Sequence, residues 1–252
     1  MNQAIRSIEV CFSPALFPLF KNESSIVVIV DILRATSAIC TAFANGAEKI
    51  IPVSTLDEAR EYKKRGFIVA AERDGYVLDF ADFGNSPFNF SREKAGGKTI
   101  VYSTTNGTQA INLAKDHYQI LVGSFLNLDA LCKWIAKENR NVIVLCAGWK
   151  NKFSLEDTLS AGAIVDNLIS EAGYSTVCDS ALAARDLWRV AKKDLVSYIQ
   201  KAAQRERLRQ KGLDDVIEYC LTLNLLKVVP AFIDGALTDL VRNRQITTMV
   251  GV

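Results

Sequence analysis

Asp31, Arg34, Thr36 and Ser37 stand close together, directly after the β-branched run 27–30. A carboxylate able to hold a metal ion, beside a guanidinium whose planar fork grips phosphate or sulfonate oxygens, points to chemistry on an anion. Two further turns repeat the theme. Residues 99–102 lead into Ser103, Thr104, Thr105, Asn106, Gly107 and Thr108, hydroxyls and an amide around a glycine that lets backbone approach a ligand. Residues 142–146 lead into Ala147, Gly148 and Trp149, and then into Ser154, Glu156 and Asp157. Each turn opens a helix-like pattern, and a helix N-terminus offers unpaired N–H donors and a positive dipole end to an oxyanion. Carboxylates in the same turns suit a divalent cation that would neutralise a phosphate.

Every one of these turns also has a plainer explanation. Asp31 can cap a helix with Arg34 on the surface, and Thr and Asn are residues that turns favour. Ser154 with one following acid is a capping pattern. The second acid is superfluous for capping, which leaves Glu156 or Asp157 for a metal or for acid–base work. Trp149 fits a pocket wall and a core equally well.

The elements that must position these turns alternate in type. Strands are predicted at 5–11, 26–30, 49–53, 68–71, 99–102, 119–122 and 142–146, with late strands at 228–233 and 245–250. Helices are predicted at 35–45, 54–65, 107–114, 128–138 and 156–171, and residues 179–225 are almost wholly helical in pattern, with breaks near Asp194 and Gly212. The stretch 72–97 has little periodicity, but its Phe80, Phe83, Phe88 and Phe90 argue for order. Strand–helix alternation predicts an α/β fold with a largely parallel sheet covered by helices on both faces. Ligands then bind beyond the strand C-termini, where all three turns would sit.

With 252 residues, 49% of them hydrophobic and 23% charged, the chain has the make-up of a globular protein with a sizeable core. Its formal charge of +2 singles out no partner. No basic block is interleaved with aromatics, which argues against nucleic acid, and Arg205, Glu206, Arg207 and Arg209 read as a solvated helix face. Residues 1–6 lack the order of a secretory signal, and apolar runs stay far below the ~20 residues of a membrane span, so a cytoplasmic location is expected. Six scattered cysteines without a C-x-x-C pair predict reduced core side chains, Cys146 among them. His117, the only histidine, is expected at the surface.

Several phosphate-handling motifs are absent. One histidine cannot supply a His-rich metal site. Cys146 to Lys152 has the spacing of a Cys-x5-Arg loop, but lysine replaces the arginine whose fork that mechanism needs. Asp31-Ile32-Leu33 lacks the second acid of an Asp-x-Asp motif. Gly97-Lys98-Thr99 mimics the end of a P-loop, yet Arg92 occupies the first glycine position.

Taken together, the turns resemble the 2-phosphosulfolactate phosphatase family of Mg2+-dependent phosphatases. The matching stretches are residues 30–37, 82–87, 103–108, 123–127, 146–148 and 153–163, and Asp214-Asp215 through Val228-Val229-Pro230 follows the family's C-terminal order. The resemblance spans nearly the whole chain. It implies hydrolysis of (2R)-phospho-3-sulfolactate to 3-sulfolactate and phosphate, a step in coenzyme M synthesis, on an α/β fold of two closely packed lobes within a single unit, 1–252. Departures from the pattern lie at Ser103, at residues 202–207 and at Asn224, and they bear on substrate identity more than on phosphatase chemistry.

The resulting expectation is a Mg2+-dependent phosphomonoesterase in which water attacks directly. Asp31, Glu156 and Asp157 are expected to be catalytic, and Asp31, Glu72 and Glu156 to hold the metal. Arg34, Thr36, Ser37, Asn85, Thr104, Thr105, Asn106, Gly107 and Gly148 are expected to bind the phosphate ester, with Arg73 and Arg185 as candidates for its sulfonate or carboxylate. The expected partner is a small anionic phosphate ester; nucleic acid and membrane are not expected, and a homodimer is left open beside a monomer. Two other readings stay open: a phosphatase acting on another small phosphorylated acid, and a non-catalytic anion-binding protein.

Overall fold

A computed structural model describes residues 6–20, 22–104 and 106–244. The strands are β1 (Ile8–Cys11), β2 (Ile26–Val30), β3 (Lys49–Pro52), β4 (Ile68–Arg73), β5 (Tyr76–Val77), β6 (Thr99–Ser103), β7 (Gln119–Gly123), β8 (Val142–Cys146), β9 (Pro230–Ile233) and β10 (Ala236–Asp239). They join in one ten-stranded sheet of order β1-β8-β2-β7-β9-β10-β3-β6-β4-β5. The helices are α1 (Ala35–Ala44), α2 (Leu56–Lys64), α3 (Arg92–Ala95), α4 (Gly107–Ala114), α5 (Leu128–Glu138), α6 (Leu155–Ala172), α7 (Asp179–Ala191), α8 (Leu195–Ile199), α9 (Ala203–Gln210) and α10 (Ile217–Cys220). Among the described residues, no helix is long and apolar enough to cross a membrane.

The β-branched runs of β2 and β8 form central strands because both of their faces are covered. Alternate residues of β2 enter different cores, as the period of two requires. Val28 and Val30 pack with α5, α6 and α7, whereas Val27 and Ile29 pack with α1 and with Ile50, Ile100 and Tyr102. Local signals set the helix ends. Thr55 caps α2 by accepting the Glu58 N–H at 3.2 Å, with acids in the first turn and lysines in the last. Gly162 lets α7 press against α6, since a Cβ there would overlap the Ala184 carbonyl.

Strand direction departs from the sequence expectation in one respect that matters for the site. β1, β8, β2 and β7 are mutually parallel, and so are β3, β6 and β4. Three antiparallel pairings, β7–β9, β9–β10 and β10–β3, separate the two blocks and reverse the second against the first. Twist of roughly 20–25° per strand accumulates to on the order of 110° over the five steps from β2 to β6. The carboxyl ends of both blocks nevertheless border one cleft, since Asp31 after β2, Gly148 after β8, Glu72 on β4 and Asn106 after β6 line it together. α1 lies across the joint against β7 and β9, and the Tyr102 hydroxyl donates to the Ala35 carbonyl at 3.2 Å.

Other expectations shift in detail. The short strands β5 and β10 were not anticipated, and β1 starts later than expected. The helical pattern ends at Cys220 rather than at 225. There Asn224, at φ 60°, accepts the Asp129 N–H, and the backbone N–H groups of Asn224 and Leu226 donate to the carbonyls of Phe125 and Leu126. His117 is half-buried, tilted against Phe17 at 5.1 Å, instead of lying free at the surface. All six cysteines are free, and all but Cys178 are buried. The strand expected at 245–250 lies outside the described residues.

Candidate active site

Asp31 sits where β2 gives way to α1, in a turn closed by its neighbours. Its N–H donates to Thr36 Oγ1 at 3.1 Å, its carbonyl accepts the Thr36 N–H at 2.9 Å, and the Ser37 hydroxyl donates to the Ile32 carbonyl at 3.0 Å. The hydroxyls of Thr36 and Ser37 therefore brace the turn and do not line the cleft, because a helix start needs its early backbone groups satisfied. Arg34 does line it. It is buried, and its guanidinium donates to the Gly75 carbonyl at 3.3 Å.

The turn after β6 lies directly against this one. A Cβ on Gly107 would stand 3.4 Å from Asp31 Oδ2, in van der Waals contact, which places the two loops side by side. Asn106 reaches the cleft and accepts the Lys150 N–H at 3.5 Å, which joins it to the turn after β8. Thr104 is buried, its Oγ1 without a partner among the described residues, and it opens into a side cavity shared with Ser54 and Arg73. Thr105 lies outside the described residues.

The third turn contributes both acids of α6. Asp157 is held by two backbone donors, Ile32 N–H at 2.9 Å and Gly148 N–H at 3.0 Å. Glu156 lines the cleft beside it. At the end of β4, Glu72 turns inward and accepts the Gly75 N–H at 2.7 Å through one carboxylate oxygen. Asn85 joins them with a buried Oδ1 that has no partner among the described residues. Glu72, Glu156 and Asp157 are only 4%, 5% and 2% exposed, so their charges are poorly screened by water.

Burial, more than crowding, shows in the acidities of Asp31, Glu156 and Asp157. Burial, and then the negative charges of Glu72 and Glu156, push Asp31 up to about 7. Burial also raises Glu156, and it raises Asp157 well above the usual range despite the N–H donors of Ile32 and Gly148. Burial lowers Arg34, with Glu72 working against that shift. A cleft holding this many carboxylates favours either a proton or a cation. Among the described residues, no three His, Cys, Asp or Glu side chains are placed as a ready cage for a metal ion. Mg2+ typically takes one or two carboxylates plus waters and phosphate oxygens, so Asp31 with Glu72 or Glu156 fits its needs.

Cys146 is buried and lines no part of the cleft, and burial drives its thiol well above the ordinary value, as a structural residue requires.

The sequence model of the 2-phosphosulpholactate phosphatase family matches residues 11–235. The chain belongs to that family. A probable 2-phosphosulfolactate phosphatase from Thermotoga maritima is 39% identical over 84% of this chain and 91% of its own length. One from Caldanaerobacter subterraneus subsp. tengcongensis is 36% identical over 83% and 88%, and one from Clostridium acetobutylicum 33% identical over 85% and 92%.

Within this 2-phosphosulfolactate phosphatase fold, sequence reading missed one wall of the cleft. Gln204, Arg207 and Lys211, from α9 and its C-terminal end, line it together with Trp149. The run 205–209 is therefore not simply a solvated face. Positions 204, 207, 208 and 211 recur at helical spacing, and the buried Leu208 among them was the available signal. Two other cations stand elsewhere. Arg185 pairs with Asp166 at 3.0 Å, away from the cleft, and Arg73 donates to the Glu72 carbonyl and Ser103 Oγ beside the side cavity.

Proposed function

We propose that the protein hydrolyses the phosphate of a small, acidic phosphomonoester, with (2R)-phospho-3-sulfolactate as substrate and 3-sulfolactate and phosphate as products, in coenzyme M synthesis. The observation that carries this reading is the meeting of Asp31, Glu72 and Glu156 around the buried Arg34 at the mouths of two helix-opening turns. Such a site pairs an anion grip with carboxylates, which a purely structural turn does not need. The relatives named as probable 2-phosphosulfolactate phosphatases support this substrate.

Arg34 would hold two phosphoryl oxygens through its fork, with Asn85, Asn106 and backbone at the α4 N-terminus as further donors. Asp31, with Glu72 or Glu156, would hold Mg2+, which when bound supplies a Lewis acid that lowers the pKa of water and neutralises phosphate charge. With Asp31 and Glu72 on the cation, Glu156, which burial shifts upward, is left to take a proton from attacking water and return it to the leaving alkoxide oxygen. Asp157, with both oxygens on backbone donors, positions the two turns.

Release of inorganic phosphate from (2R)-phospho-3-sulfolactate, measured with added Mg2+ and with EDTA, tests the proposal. The expected result is turnover that needs the cation. Binding of the ester without turnover in any divalent metal would favour the anion-binding alternative.

A further inference from the structure

Arg207 is an oriented cation on the cleft wall, and among the described residues its terminal nitrogens make no hydrogen bond. Its Nε donates to Gln204 Oε1 at 2.7 Å, and its guanidinium lies 4.7 Å from the centre of the Trp149 ring. Among the described residues it forms no ion pair within 4 Å, and Glu156 is the acid whose charge it feels. Both ends of α9 are seated on the site: Gln204 Nε2 donates to the Leu33 carbonyl at 3.0 Å, and Lys211 Nζ to the Asp74 carbonyl. The helix thus spans from the Asp31 turn to the β4–β5 hairpin, with Arg207 between its two anchors.

The other cations near the cleft stand differently, Lys150 at its rim against Asp74 at 3.6 Å. Arg34 lies deep beside Asp31 and Glu72, where a phosphate would be gripped. Lys211 sits over the Tyr76 ring at the rim. Arg73 faces the side cavity, and Arg185 belongs to Asp166. A phosphorylated acid brings a second oxyanion into a cleft already walled by carboxylates, and that group needs its own positive partner. The cleft is narrow, about 40 Å³, and Arg34 and Arg207 both line it.

We propose that Arg207 receives the second oxyanion of the substrate, its sulfonate or carboxylate, and so sets the preference for multiply charged esters. This rests on the phosphatase reading above. Gln204 and Trp149 hold the guanidinium in plane, and its two terminal nitrogens form the fork.

The test compares wild type, Arg207→Gln and Arg207→Lys on (2R)-phospho-3-sulfolactate and on p-nitrophenyl phosphate, whose tail is uncharged. Calorimetric binding of 3-sulfolactate and of inorganic phosphate runs beside it. Loss of a charge-assisted pair predicts that Arg207→Gln lowers kcat/KM on the sulfonated ester roughly 30-fold more than on the uncharged one, mainly through KM. Affinity for 3-sulfolactate should fall in the same proportion relative to phosphate, and Arg207→Lys should recover only part of either loss. Equal losses on both esters and both ligands would overturn the proposal and leave Arg207 as a counter-charge to Glu156. If the wild type turns over neither ester, the phosphatase reading fails, and the binding ratio still decides the role of Arg207.

Discussion

Asp157 Oδ1 accepts the Ile32 N–H at 2.9 Å across 125 residues of sequence. Its other oxygen accepts the Gly148 N–H, so one buried carboxylate fixes the turns after β2 and β8 relative to the head of α6. Asp157→Ala leaves two buried N–H groups without acceptors, at a cost of roughly 2–5 kcal/mol. We expect a lower urea midpoint with an unchanged m-value, and a lower kcat because Asp31 loses its alignment. Asp157→Asn, which keeps one acceptor oxygen, should fall between. An unaltered midpoint in Asp157→Ala would show that the two turns are held by other contacts.

Gly148 carries a second, independent constraint on the same turn. Its φ is +63°, and a Cβ would lie well inside the van der Waals envelope of the Lys152 carbonyl oxygen. The left-handed conformation alone costs an ordinary residue about 1–2 kcal/mol, and the overlap adds to it. Gly148→Ala should therefore destabilise the protein by at least about 2 kcal/mol and lower turnover. Thermal unfolding checks the first part. A stable, fully active variant would mean that the loop between Trp149 and Lys152 tolerates reshaping.

Much of this architecture is legible in the sequence. The runs Ile26–Val30 and Val142–Cys146 are strands at the expected residues because β-branched residues with apolar neighbours on both faces have no competing period. Gly107–Ala114 and Leu128–Glu138 likewise match as helices. What the sequence conceals is long-range. The convergence of Asp31, Glu72, Asn106 and Glu156 was expected from strands that all run parallel, yet the pairings through β9 and β10 reverse half of the sheet, and the four residues still line one cleft. Thr36 and Ser37 have the residue types of an anion grip and serve the turn instead, since side-chain oxygens satisfy whichever backbone group is nearest. Arg207 was hidden because a basic run looks solvated until the partner surface is known.

The carboxylate cluster makes a prediction about the metal. A phosphate dianion beside Asp31, Glu72 and Glu156 is repelled unless a cation is present, so activity should vanish in EDTA and return with Mg2+. Asp31→Asn should reduce kcat by orders of magnitude. Arg34→Ala should raise KM more than it lowers kcat, because it grips ground state and transition state alike. Steady-state kinetics separates the two effects. Wild-type rates in EDTA or in Asp31→Asn would remove the cation from the reaction.

The same cluster sets the pH dependence of stability in the metal-free protein. Asp31 titrates at about 7 when folded, against an ordinary value of 3.8, so the folded state holds its proton more tightly than the unfolded chain does. The stability linked to this proton is complete below about pH 4 and is lost as pH rises through about 7. Glu156 and Asp157 are shifted in the same direction and steepen the loss. In EDTA the melting temperature should fall between about pH 4 and pH 8, and Asp31→Asn should flatten part of that slope. Added Mg2+ competes with the proton for the same carboxylates, so it should raise the melting temperature more near pH 8 than near pH 5. Scanning fluorimetry across this range reads both effects. An equal Mg2+ shift at the two pH values would place the ion away from Asp31, Glu72 and Glu156.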